Sequence, residues 1–155
     1  MVAGTLLVDN VYAKVLFDSG ATHTFISTKF AQQLDKPAEL FSGTLVVNTP
    51  TGGPAYVDHV IPSIMVSIDG HSLEAQAFVL DIQDFDIILG MDWLDQHYAL
   101  LDCRRKRVIF RRPGEKEFFY QCLKHKTSKI IISALSATRL LNLGCTGFLA
   151  CIVLE

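Results

Sequence analysis

Val15-Leu16-Phe17-Asp18-Ser19-Gly20-Ala21 is the stretch on which the reading of this chain turns. An apolar, β-prone run delivers a carboxylate straight into a tight turn. Ser19 offers a hydroxyl that can stiffen the turn by bonding nearby backbone, and Gly20 is read as the residue that lets the backbone turn where a Cβ would clash. Taken alone, Asp-Ser-Gly is a common turn tripeptide. Its weight comes from a second segment some seventy residues on, Asp86-Ile87-Ile88-Leu89-Gly90-Met91-Asp92-Trp93-Leu94. There Phe85 to Leu89, a continuous apolar run broken only by Asp86, reads as a buried strand that ends at Gly90. A short helix is expected over Met91 to His97, with Asp92 suited to its positive N-terminal end.

Outward from these segments the chain is rich in short strands. Thr5 to Val8 and Val11 to Phe17 flank Asp9-Asn10 and read as an opening hairpin. A helix capped by Ser27 should bury Phe30, Ala31 and Leu34 and stop before Pro37. Leu45 to Asn48 and Tyr56 to Ile61 flank Thr49-Pro50-Thr51-Gly52-Gly53-Pro54, a hairpin with a Pro/Gly-rich tip. Ile64 to Ile68 and Leu73 to Leu80 flank Asp69-Gly70, another hairpin. Ala99 to Cys103 and Arg107 to Arg111 pair around a basic turn, and Glu117 to Cys122 follows Pro113-Gly114. Strands at such regular spacing, with two modest helices, favour a mainly β barrel or sandwich over a parallel α/β sheet. A polar stretch at Lys124 to Lys129 marks a boundary between residues 1–123 and residues 124–155. Beyond it Ile130 to Leu143 reads as an amphipathic helix stopped by Gly144, and Phe148 to Leu154 as a strand.

Bulk composition narrows the functional classes. The chain has 155 residues, 50% hydrophobic and 19% charged, enough for a packed core. A net charge of −2 gives no global pull toward nucleic acid or anionic membrane. The C-terminal apolar stretch, interrupted by Asn142, Gly144 and Gly147, falls short of the roughly 20 residues of a membrane helix. Cys103, Cys122, Cys145 and Cys151 form no C-x-x-C pair, and no His stands at zinc-ligand spacing, so neither a metal nor a cofactor is expected. Free thiols in a reducing compartment are expected instead. Arg104-Arg105-Lys106-Arg107 with Arg111-Arg112 is the one basic cluster. It reads as a solvated hairpin edge, because no aromatic platform for bases is interleaved with it.

Asp18-Ser19-Gly20-Ala21 on a strand, followed by two apolar residues and Gly90, resembles the retropepsins, the aspartic proteases of retroviruses and retrotransposons. Ile88-Leu89-Gly90-Met91-Asp92-Trp93-Leu94 is similar to the Ty3/gypsy branch, and the likeness covers about residues 4–122. It implies a closed retropepsin-like β-barrel and aspartic endopeptidase activity on the chain's own polyprotein. Residues 124–155 would be a connector toward reverse transcriptase. Asp18 would be the catalytic acid, Ser19 would grip the partner's loop, Gly20 would admit substrate backbone, and Ala21 would line the pocket. Leu89 and Gly90 would support the loop from beneath, and Pro50, Thr51, Gly52 and Gly53 would form the flap. A cytoplasmic location, or one within virus-like particles, is implied too. Retroviral members often carry an acid and an Arg where this chain has Thr22 and Met91; losing both together strands no charge but implies different dimer contacts.

Peptide hydrolysis of this kind needs two carboxylates on one water, sharing a proton. The sequence holds one Asp-Ser/Thr-Gly: Asp69-Gly70 lacks the hydroxyl residue, and Asp84 and Asp86 lack the following Gly. A homodimer with the two Asp18 side chains at its axis is therefore expected, taking an extended peptide between subunits. Two other readings stand beside it. One is a catalytically inactive retropepsin-like module for dimerisation or peptide binding. The other is a nucleic-acid-associated β-domain using the basic hairpin.

Overall fold

A computed structural model describes residues 2–49 and 53–122. The helix and strand expected within 124–155, and the hairpin tip at Pro50, Thr51 and Gly52, lie outside the described residues.

The chain runs β1 (Val2–Val8), β2 (Val11–Phe17), β3 (Phe25–Ser27), α1 (Thr28–Ala31), β4 (Glu39–Thr49), β5 (Gly53–Ile68), β6 (His71–Leu80), β7 (Ile87–Leu89), α2 (Met91–Gln96), β8 (Ala99–Asp102), β9 (Arg107–Phe110) and β10 (Phe118–Gln121). Turn chemistry fixes the first register. Asp9 and Asn10 both take left-handed φ, 48° and 66°, so Val8 faces Val11 across a two-residue turn. Asp69 and Gly70, at 47° and 78°, do the same between β5 and β6. Ser27 caps α1 as expected, its hydroxyl accepting from the Phe30 N–H at 3.0 Å.

Seven strands form one sheet in the order β1-β2-β7-β3-β6-β5-β4. A short ladder, Leu7 to Ser67 and Val8 to Val66, ties β1 back to β5 and curls the sheet into a barrel-like roll. The barrel is joined there by two residue pairs and is not fully closed. Mainly β architecture with two short helices agrees with the sequence expectation. The pairing is more mixed than a series of hairpins would give. β7 lies parallel to β2 and antiparallel to β3, and β3 lies parallel to β6.

This central placement explains the unbroken apolar run of β7. Ile87 and Leu89 face the main core with Val15 and Phe17. Ile88 faces a second core with Leu16, Ala21, Val47, Val57, Phe78 and Phe85. A strand buried on both faces has no polar alternation to show. Trp93 of α2 anchors the main core, 6.1 Å from Phe17 and 5.8 Å from Phe110 between ring centres. β8, β9 and β10 make a separate three-stranded sheet. Its inner face, through Val108, Phe110 and Phe118, closes the main core, and the Tyr120 hydroxyl donates to the Thr5 carbonyl at 3.1 Å.

Candidate active site

The site starts from how β2 ends. Phe17 pairs with Leu89, the last residue of β7. The next N–H, that of Asp18, donates to the Leu89 carbonyl at 3.0 Å, so the ladder holds the Asp18 backbone before the chain turns. The Ala21 N–H then donates to the Asp18 carbonyl at 3.1 Å and closes the turn. Gly20 gives its N–H to Asp18 Oδ1 at 2.9 Å. Left-handed φ among the described glycines occurs at Gly53, Gly70 and Gly114 and not at Gly20, so the turn does not demand glycine there for its backbone angle.

Asp18 is only 5% exposed, while Ser19 and Gly20 beside it are exposed. Its Oδ2 is buried with no hydrogen-bond partner among the described residues. Burial raises the Asp18 carboxyl above the ordinary carboxylate range, and the Gly20 N–H bond opposes that rise without cancelling it. One oxygen is thus held and the other is left for a proton or a second group.

The loop from Asp18 to Thr24 is fastened onto the segment after β7. Met91 N–H donates to the Ala21 carbonyl at 2.7 Å, and Asp92 N–H to the Thr22 carbonyl at 3.3 Å. Thr24, fully buried, accepts from the Gly90 N–H at 3.1 Å and donates its hydroxyl to Asp92 Oδ1 at 2.6 Å. Asp92 Oδ2 accepts the Thr24 N–H at 3.1 Å. Gly90 sits directly under this loop. A Cβ there would stand 2.8 Å from the Ala21 carbonyl oxygen and closer still to that of His23, both backbone atoms that cannot swing aside.

The structure therefore brings together Asp18, Ser19, Gly20, Ala21, Leu89 and Gly90. Ala21 and Ile88 share the second core with Val47 and Val57 of the β4–β5 hairpin, so the hairpin expected to cover the site packs against its floor. Of the four flap residues, Gly53 is described; it opens β5 in a left-handed conformation, φ 77°, opposite Thr49. Asp86 lies apart from Asp18: its Oδ2 accepts the Lys14 N–H at 2.8 Å, four residues back along β2, roughly 13 Å away at strand rise. Asp69 occupies the β5–β6 turn. Thr22 and Met91 are both exposed, with Thr22 Oγ1 2.8 Å from His23 Nδ1.

Thr24 and the gripping role of Asp92 were not found by sequence reasoning. Asp92 reads there as a helix-end charge, whereas its carboxylate mainly holds the active-site loop. The available signal was its position two residues after Gly90, next to a loop that needs donors and acceptors matched. His97 follows the last residue of α2. It is buried, with Nε2 2.7 Å from the Glu74 carbonyl, and burial holds its imidazole below the usual value. No group of side chains suited to a metal ion occurs among the described residues. No described helix is long and apolar enough to cross a membrane. In the basic hairpin Arg105 and Arg107 share Asp102, Arg111 meets Glu117, and Arg112 meets Glu115, which leaves the cluster a net positive charge.

Residues 1–116 match the profile of the family described as retroviral aspartyl protease. The retroviral protease-like domain of Ddi1 from Leishmania major superposes with a TM-score of 0.55 at 17% identity, covering 77% of this chain and 90% of that one. The EIAV protease in complex with the inhibitor HBY-793 gives 0.50 at 24% identity, covering 64% of this chain and 90% of the other. Both are likenesses of fold. No curated protein matches the sequence.

Proposed function

The chain belongs to the retroviral aspartyl protease family, and on that premise we propose that it is an aspartic endopeptidase that works as a homodimer. Two Asp18 carboxyls, one from each copy, share a proton across a two-fold axis. The ionised member takes a proton from water as the water attacks the peptide carbonyl. The protonated member hydrogen-bonds the carbonyl oxygen and later supplies a proton to the leaving amine. Ser19 steadies the partner's loop, its hydroxyl being exposed at the turn. The β4–β5 hairpin closes over an extended peptide between the two copies. The substrate is the polyprotein of a Ty3/gypsy-type element, of which this chain is a part. Its setting is the cytoplasm or a virus-like particle.

One observation carries this reading. A buried carboxyl stands at a strand end with one oxygen fixed by Gly20 and the other unpartnered among the described residues. A structural turn aspartate would have both oxygens satisfied or solvated. A cleavage assay on the domain fused to its flanking polypeptide tests it. Wild type releases fragments and Asp18→Asn does not; equal cutting by both overturns the assignment. If neither cuts at concentrations where the chain is dimeric, the alternative of a non-catalytic dimerisation or peptide-binding module replaces it.

A further inference from the structure

The outer face of the three-stranded sheet has an interface's anatomy and no role in the site above. β8, β9 and β10 place Leu100, Ile109 and Phe119 in register across the sheet. Leu100 and Phe119 are each 46% exposed and Ile109 is half-buried. Two residues along each strand, on the same face, a polar row follows: Asp102, Arg107 and Gln121. Arg107 reaches 3.7 Å from Asp102 and lies 5.0 Å above the Phe119 ring. On the other flank Arg111 pairs with Glu117 at 2.9 Å. An apolar strip between two charged margins is the pattern of a surface that is covered in use.

We propose that residues 130–143 of the same chain dock on this strip. The chain leaves β10 at Cys122, three residues beyond Phe119, so these residues are tethered at the edge of the patch. The eight steps from Cys122 to Ile130 reach up to roughly 26 Å, whereas the strip spans roughly 10 Å. Lys124-His125-Lys126-Thr127-Ser128-Lys129 is a polar stretch suited to crossing solvent. The sequence after it needs cover: Ile130, Ile131, Ile132, Leu135, Leu140, Leu141 and Leu143 are large and apolar, and Arg139 is its one charge. Tethering raises the local concentration of this segment well above that of any free partner. The proposal is independent of whether Asp18 is catalytic.

Hydrogen exchange on the full chain tests it. Amides of 130–143 should be protected in wild type, at a level independent of protein concentration. Leu100→Ser/Phe119→Ser should lower that protection at least about tenfold while β2 and β7 exchange as before. Unprotected amides in wild type overturn the proposal, as does protection indifferent to the substitutions. Protection that rises with concentration assigns the strip to a second copy and overturns it too. Should the double variant disturb β2 or β7, benzoylphenylalanine at position 119 keeps an aromatic there. Photo-crosslinking should then join it to 130–143 within one chain; a crosslink to another chain or segment rejects the assignment.

Discussion

Asp18 and Asp102 end strands in the same way and are opposite in character. Each sends one oxygen back to a backbone N–H just ahead: Asp18 to Gly20 at 2.9 Å, Asp102 to Arg105 at 3.0 Å. Around Asp102 the Arg105 N–H bond, reinforced by the Arg105 and Arg107 guanidinium groups, lowers the carboxyl below its ordinary range. Around Asp18 burial dominates and raises it. The turn chemistry is shared, so it cannot be what marks a catalytic candidate. Position does: Asp18 is held under a loop clamped to β7, and Asp102 stands beside a solvated basic turn. Burial favours the protonated form of the one carboxyl, and the Arg105 N–H favours the ionised form of the other.

Substitutions can break this contrast, the largest effect first. Asp18→Asn should reduce cleavage by about 10⁴-fold, the upper end of what positioned acid–base groups contribute, with the fold intact by circular dichroism. The same variant should match or exceed wild type in thermal stability at pH 7. Asp18 binds its proton more tightly folded than unfolded, so its contribution favours folding below the ordinary carboxylate range and is lost as pH rises through the raised value. The advantage of the Asn variant should therefore shrink as the scan is moved to acid pH.

Gly90→Ala sharpens the claim that the loop is clamped. Its methyl meets the Ala21 and His23 backbone, and a loss of about 3 kcal/mol in a denaturant titration is expected, with cleavage abolished. Thr24→Val removes the hydroxyl that links Gly90 to Asp92 and should cost about 1–3 kcal/mol. Combined with Asp92→Ala the loss should be less than additive, as a double-mutant cycle would read for one shared network. Asp102→Asn should be the mildest change: cleavage within about twofold of wild type, because the group only organises a surface turn. Its lowered carboxyl contributes above the ordinary range and loses that contribution as pH falls through the lowered value. The difference from wild type should thus fade in acid, in the same direction as for Asp18→Asn but with the variant the less stable partner at pH 7.

What the sequence revealed follows from the range of each interaction. Asp9-Asn10 and Asp69-Gly70 announce their hairpins because the turn and its register are set by neighbours in the chain. Asp18, Gly20, Leu89 and Gly90 could be read because their spacing is a recurrent pattern. The parallel contacts of β7 with β2 and of β3 with β6 could not, since they join segments more than fifty residues apart with no local mark. β4 was expected over Leu45 to Asn48 and spans Glu39–Thr49, because its first half is exposed and pairs with β5 across an irregular register. The Thr24–Asp92 grip was hidden for the same reason: two common polar residues acquire a role only when the loop and β7 meet.

The central claim is that Asp18 acts only with its twin from a second copy. Wild-type and Asp18→Asn chains, mixed and allowed to exchange subunits at fixed total concentration, test it by initial cleavage rate. The rate should follow the square of the wild-type fraction, leaving about a quarter of full activity in an equal mixture. A rate that falls in direct proportion, leaving about half, would mean that each Asp18 works on its own and would contradict the account.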